Sequence, residues 1–293
     1  MKARSTPNAS VQSTQNGWRL GIQKGDSLSY RDAQLDDYSG LPRHKFPHRT
    51  LSLSLRAKVS NSSVAGTWGF GLWNDPFGMS LGFGGSPFRL PMLPNAVWFF
   101  YGSKENYLSF KEGQPQGFAP TLPANGFMAQ TFRSPKFHPL LILAGLVLPF
   151  SRKVARQLLG RVIQEDSISL WSAGACSCMS RQQAVGLQSQ SQGVDVTQWH
   201  RYRLEWSAKR VVWYVDDSPV FESLVSPNPP LGVIIWIDNQ YAAFTPEGKI
   251  AFGVLAGEDE WLEIEDLEIK RFTTHLPWRA VPGENTKSTE KTT

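Results

Sequence analysis

Only two cysteines occur in 293 residues, which excludes a disulfide scaffold. No apolar stretch reaches the roughly 20 residues that a bilayer-spanning helix needs; the run at 139–150 (PLLILAGLVLPF) stops at twelve. Charge is thin, at 19% of residues, and the net +5 is not gathered into a basic stripe, so no nucleic-acid partner is expected. Residues 1–17 are rich in Ser, Asn and Gln and hold no apolar segment of the kind a secretory signal requires, from which a cytoplasmic location is expected.

Turn formers and aromatics are plentiful instead: 25 Gly, 20 Pro, 11 Trp, 17 Phe and 7 Tyr suit short strands and tight turns better than a helical bundle. Residues 50–59 (TLSLSLRAKV) set Leu51, Leu53 and Leu55 against Ser52, Ser54 and Arg56, the period of a half-buried strand. Segments 66–75, 95–103, 106–111 and 126–134, each bounded by Gly, Pro, Asn or Ser, read as further strands. Residues 199–221 read as successive antiparallel strands that turn at 207–210 and again at Asp216, Asp217, Ser218 and Pro219. With 231–239, 250–255 and 261–272 the set comes to about ten strands, more than one open sheet carries, so a two-layer sandwich follows. The polar ends, 1–20 and 273–293, are expected to be disordered tails around one domain at 21–272, with a helical insertion at about 138–163.

The order of these segments resembles the concanavalin A-like lectin and glucanase superfamily, and within it glycoside hydrolase family 16. The resemblance covers residues 51–272 and rests on GTWGFGLW at 66–73, WHRYRLEWSAKRVVWYVDDSPV at 199–220, PLGVIIWIDN at 230–239 and WLEIEDLEIKRF at 261–272. It implies an all-β jelly roll of two antiparallel sheets whose concave face holds a polysaccharide in relatives. It also implies a Glu-x-Asp-x-x-Glu or Glu-x-Asp-x-Glu motif on the strand between GTWGFGLW and the hairpin. The corresponding stretch, 95–102 (NAVWFFYG), has no carboxylate. Retaining hydrolysis needs two carboxyl groups about 5 Å apart, so the resemblance implies a lectin-like binder of a polysaccharide or glycan without hydrolysis. A glycoside hydrolase with displaced acids is the alternative, with Asp75, Glu105 and Asp238 as its candidates. Glu263, Glu265 and Glu268 reproduce the motif's spacing, but they alternate with Leu262 and Ile264 as an outward-facing edge does.

Sugar rings stack on aromatic faces, which makes Trp68, Trp73, Trp98, Tyr101 and Trp236 the candidate ligand-binding residues. Trp236 leads, because Ile235 and Ile237 claim the core face and send Trp236 and Asp238 to the other. Asp238, Asn239 and Gln240 have the groups to orient a hydroxyl or, with Asp75, to hold a structural calcium ion; no other cofactor is expected. Cys176 and Cys178 lack a second ligand pair, and His200 has no Ser or Cys motif beside it.

The insertion breaks the β pattern. Leu140, Leu141, Ile142, Leu143, Leu146 and Phe150 form an apolar run, and Arg152, Lys153 and Arg156 follow among apolar residues at helical spacing. Three readings stay open: a helical hairpin packed on the sandwich, a lid over the groove, or a wedge that meets a membrane surface or a protein partner and makes the chain peripheral.

Overall fold

The computed structural model describes residues 1–76, 92–110, 125–136, 138–170 and 193–271. They fold into two seven-stranded antiparallel sheets stacked face to face. The first sheet runs β1 (Lys2–Ser5), β4 (Asp32–Asp36), β13 (Gly232–Asp238), β6 (Thr67–Trp73), β7 (Ala96–Gly102), β8 (Gly126–Arg133), β9 (Gln164–Ser169). The second runs β12 (Ser218–Ser223), β11 (Val211–Val215), β10 (His200–Trp206), β5 (Leu51–Val59), β16 (Glu260–Lys270), β3 (Gly17–Ile22), β2 (Ala9–Ser13). A separate hairpin pairs β14 (Gln240–Phe244) with β15 (Ile250–Val254).

The main core lies between the sheets. Strand β5 buries every second residue, from Leu51 to Val59, as its alternation requires. Tyr202 of β10 meets Phe70 and Phe99 of the first sheet, both at 5.1 Å between ring centroids, and the Trp213 indole N–H donates across the sandwich to the Trp98 carbonyl at 3.1 Å. Strand β13 is buried along its whole length, as is β7, so the first sheet is covered on its outer face as well as its inner one. That cover forms a second cluster around Trp98 and Trp236.

Two expectations are corrected. Residues 1–20 are not a tail: they contribute β1 and β2 and most of β3, which puts Leu20 and Ile22 in the core and pairs with β16. Edge strands β1 and β2 are too polar to show an apolar face in sequence. Residues 106–110 form no strand but an irregular segment with a single bridge from Tyr107 to Ala243. The expected C-terminal tail, 273–293, lies outside the described residues, as do Cys176 and Cys178. The turn at Asp216 and Asp217 is present, with both residues at positive φ (48° and 61°) between β11 and β12.

Between β8 and β9 the chain forms two antiparallel helices, α1 (Pro139–Val147) and α2 (Arg152–Val162). Each starts where its sequence dictates: His138 accepts the Leu140 N–H ahead of Pro139, and Ser151 accepts the Val154 N–H. Helix α2 turns Ala155, Arg156, Leu158 and Val162 inward. The Arg156 guanidinium is fully buried, donating to the carbonyls of Phe244 (2.8 Å) and Ser109 (2.7 Å) and lying 5.7 Å from the Tyr107 ring centroid. One side chain thus ties α2 to β14 and to the segment after β7. Arg156→Ala strips two buried carbonyls of their donor and is expected to cost about 3 kcal/mol of stability in chemical denaturation.

Candidate functional site

The outer face of the first sheet is set by register. Gln34, Trp236, Gly69, Phe100 and Met128 form one row across it, and Asp36, Ile234, Gly71, Trp98 and Gln130 the next. Asp32, Asp238 and Thr67 continue the face at one end, Trp73 and Phe132 at the other. The two glycines make room for the indoles. A Cβ at Gly69 would lie 2.7 Å from the Trp236 ring, and one at Gly71 would lie 2.3 Å from the Val97 carbonyl oxygen and 2.5 Å from the Trp98 Cα. The Trp73 and Trp236 rings are nearly parallel with centroids 6.5 Å apart, and Trp98 is 5.6 Å from Trp236.

Each indole N–H is satisfied within the protein. Trp73 donates to the Tyr38 hydroxyl (2.7 Å), Trp98 to the Gln130 side-chain oxygen (3.1 Å) and Trp236 to the Thr67 hydroxyl (2.9 Å). Tyr38 and Phe46 from the segment after β4, with Leu159 and Ile163 from the insertion, roof the cluster and leave Trp98 and Trp236 buried. Trp73 remains half-buried at the margin.

The expected ligand residues therefore divide. Trp68 and Tyr101 point inward, stacked 5.6 Å apart in the main core, because they alternate with Gly69 and Phe100. Trp98 and Trp236 do take the outer face, but beneath a roof that sequence periodicity does not reveal. Asn239 is fully buried and its amide is used internally, donating to Ser29 and Leu255 and accepting from the Arg31 N–H. Among the proposed acids, Asp75 follows the far end of β6 from Asp238, about 25 Å away by strand rise, so the two cannot share a substrate atom or a calcium ion. Glu105 follows β7 near the Asp238 end, where its charge raises Tyr101, a phenol pushed up to about 12 mainly by burial. Among the described residues no group of three or more His, Cys, Asp or Glu side chains is arranged to hold a metal ion. Glu263 and Glu265 lie on the outer side of the second sheet, paired with Arg19, Lys58 and Arg56, and Glu268 pairs with Lys270. His200 pairs with Asp216 at 2.7 Å in the hairpin.

The residue missed in sequence is Asp32. It stands directly opposite Asp238 on the neighbouring strand, where paired side chains have Cβ atoms about 4.5–5.5 Å apart. Burial holds the Asp238 carboxyl up at about 7, even though the Thr67 hydroxyl (2.7 Å), the Thr67 and Gln240 N–H groups and Tyr30 all donate to it. Asp32 is also raised well above the usual carboxylate range, first by burial and then by the Asp238 charge, against a smaller pull from Arg4. Next along the face, Asp36 accepts from the Gln34 amide (2.8 Å) and the Ser39 hydroxyl (2.6 Å), and Gln34 also donates to Tyr38 (3.2 Å). The signal was present in YRDAQLDDY at 30–38, where Asp32, Gln34 and Asp36 alternate with Ala33 and Leu35. Chemically the face offers two acids at facing strand positions, a chain of amide and carboxylate groups, and the margin of an indole cluster.

These features define an all-β sandwich of two antiparallel sheets with an indole-filled outer face, and part of the chain resembles family 16 of the glycoside hydrolases. The family described as "Glycosyl hydrolases family 16" matches residues 159–262, about a third of the chain, which include Trp236 and Asp238. Among solved structures the chain is similar to the Bacillus licheniformis beta-glucanase, at 10% identity over 91% of this chain and 82% of that one (TM-score 0.39). It is similar to LamAcat from Zobellia galactanivorans at 16% over 87% and 80% (TM-score 0.41), and to a carbohydrate binding module from Bacillus subtilis at 9% over 92% and 94% (TM-score 0.35). No curated protein matches the chain.

Two outcomes follow for this face. Gly71→Ala drives a methyl into neighbouring backbone and is expected to destabilise the fold by about 1–3 kcal/mol in denaturant titration. Asp238 binds its proton more tightly folded than unfolded, so its share of stability is full below pH 3.8 and is lost as pH rises to about 7. Asp238→Asn removes that group and the charge that raises Asp32, and its melting temperature should depend less on pH across this window than that of the wild type.

Proposed function

We propose that this protein binds a carbohydrate at the margin of the first sheet's outer face, beside Trp73 and Gln34. The observation that carries this reading is the half-buried Trp73 ring joined through Tyr38 to the Gln34 and Asp36 side chains. A pyranose stacks its C–H face on such a ring while its hydroxyls meet the Gln34 amide, which the buried Asp36 carboxylate and Tyr38 hold in place. The likeness to family 16 over 159–262 supports the substrate class. Strand β7 carries no carboxylate, which favours binding without hydrolysis.

A second reading rests on Asp32 and Asp238. Their facing positions on neighbouring strands, and the proton that Asp238 holds near neutral pH, support a general acid and nucleophile of the kind retaining glycoside hydrolysis uses. This pair would stand in for acids displaced from β7.

One experiment separates the two: a glycan array probed with the purified protein, with reducing-sugar release followed on the same β-glucans. The binding reading expects retention without release, and a loss of about tenfold or more in affinity for Trp73→Ala. Release that disappears in Asp238→Asn would establish the acid pair instead. Neither retention nor release on any glycan would overturn both.

A further inference from the structure

The apolar tip of the helical insertion does not pack on the sandwich. Phe150 is 90% exposed, Leu146 66% and Leu143 45%, while the buried residues of α2 lie on its other side. A second element adds to the same surface. The turn of the β14–β15 hairpin is pressed against the start of α2, so closely that a Cβ at Gly248 would lie 2.6 Å from the Lys153 backbone nitrogen. This contact places Ile250 and Phe252, the latter 51% exposed, beside Leu148, Pro149 and Arg152 along one cleft. Two elements far apart in sequence thus present their apolar side chains to solvent together.

The polar residues around this patch are cationic. Arg152 and Lys153 open α2, Lys249 precedes Ile250, and all three are exposed. Residues 138–163 contain no Asp or Glu; Glu247 in the hairpin turn is the acidic side chain beside the patch. No helix among the described residues is long and apolar enough to cross a membrane. An exposed Phe flanked by leucines and bordered by Lys and Arg matches the chemistry of a bilayer's interfacial zone, where rings enter the acyl boundary and cations meet anionic headgroups.

We propose that this end of the molecule, formed by the α1–α2 tip and the β14–β15 hairpin, docks onto anionic lipid membranes. The Phe150 and Phe252 rings insert, and Arg152, Lys153 and Lys249 engage the headgroups. A hydrophobic contact alone would bind neutral and anionic lipid equally; the cations make the preference for anionic lipid a specific expectation.

The test is co-sedimentation of the full chain with phosphatidylcholine vesicles and with vesicles containing phosphatidylserine. Binding is expected to the second and to weaken with salt. Phe150→Ser should lower partitioning about tenfold, and Arg152→Gln with Lys153→Gln about fivefold for each cation removed. Phe150 is nearly free of intramolecular contact, so Phe150→Ser should melt as the wild type does, which separates lost docking from lost folding. No sedimentation with phosphatidylserine vesicles, or sedimentation unaffected by Phe150→Ser, would overturn the proposal. So would a concentration-dependent dimer abolished by Phe150→Ser in the absence of lipid, which would make the patch a contact between copies of the chain.

Discussion

The central strands of the first sheet, β13, β6 and β7, are apolar on both faces, and a sheet of that composition is stable only when both are covered. The second sheet covers the inner face. Among the described residues the outer face has no second layer of strands; it is covered by the segment around Tyr38 and Phe46 and by α2, and it fills its own surface with three indoles over two glycines. The helical insertion is therefore a structural partner of the sheet. It follows that any ligand site on this face lies at the margin of the cover, where Trp73, Gln34 and Asp32 remain partly accessible.

What could be read in the sequence was local. The alternation of 50–59 and the hairpin at 199–221 depend on period and turn chemistry alone, and both took the form that those rules dictate. The direction of Trp236 was equally legible, since Ile235 and Ile237 alternate with it. Its burial was not, because the cluster that covers it draws residues from distant segments, among them Tyr38 and Phe46, and only tertiary packing assembles them. The same parity applied to GTWGFGLW would have sent Trp68 inward with Phe70 and Leu72. The acid pair escaped because its halves lie in β4 and β13, and only the strand order joins them.

The acid pair and the indoles are also linked through one hydroxyl. Thr67 accepts from the Trp236 indole and donates to Asp238, so the aromatic cluster and the titrating end of the face share a hydrogen-bonded residue. A change in the charge of Asp238 is felt first by that hydroxyl and then by the indole that it holds. The polar and apolar halves of the face form one arrangement for this reason.

Strand β16 occupies the interior of the second sheet, between β5 and β3, while lying at the end of the described chain. During synthesis, β5 and β3 wait with open edges until residues 260–270 have left the ribosome, because among the described residues no earlier strand takes that place. Assembly of this sheet is consequently governed by contacts between strands far apart in sequence, and such contacts form slowly. Until β16 pairs, β5 and β3 each keep an open edge, the kind of edge that pairs readily with other chains.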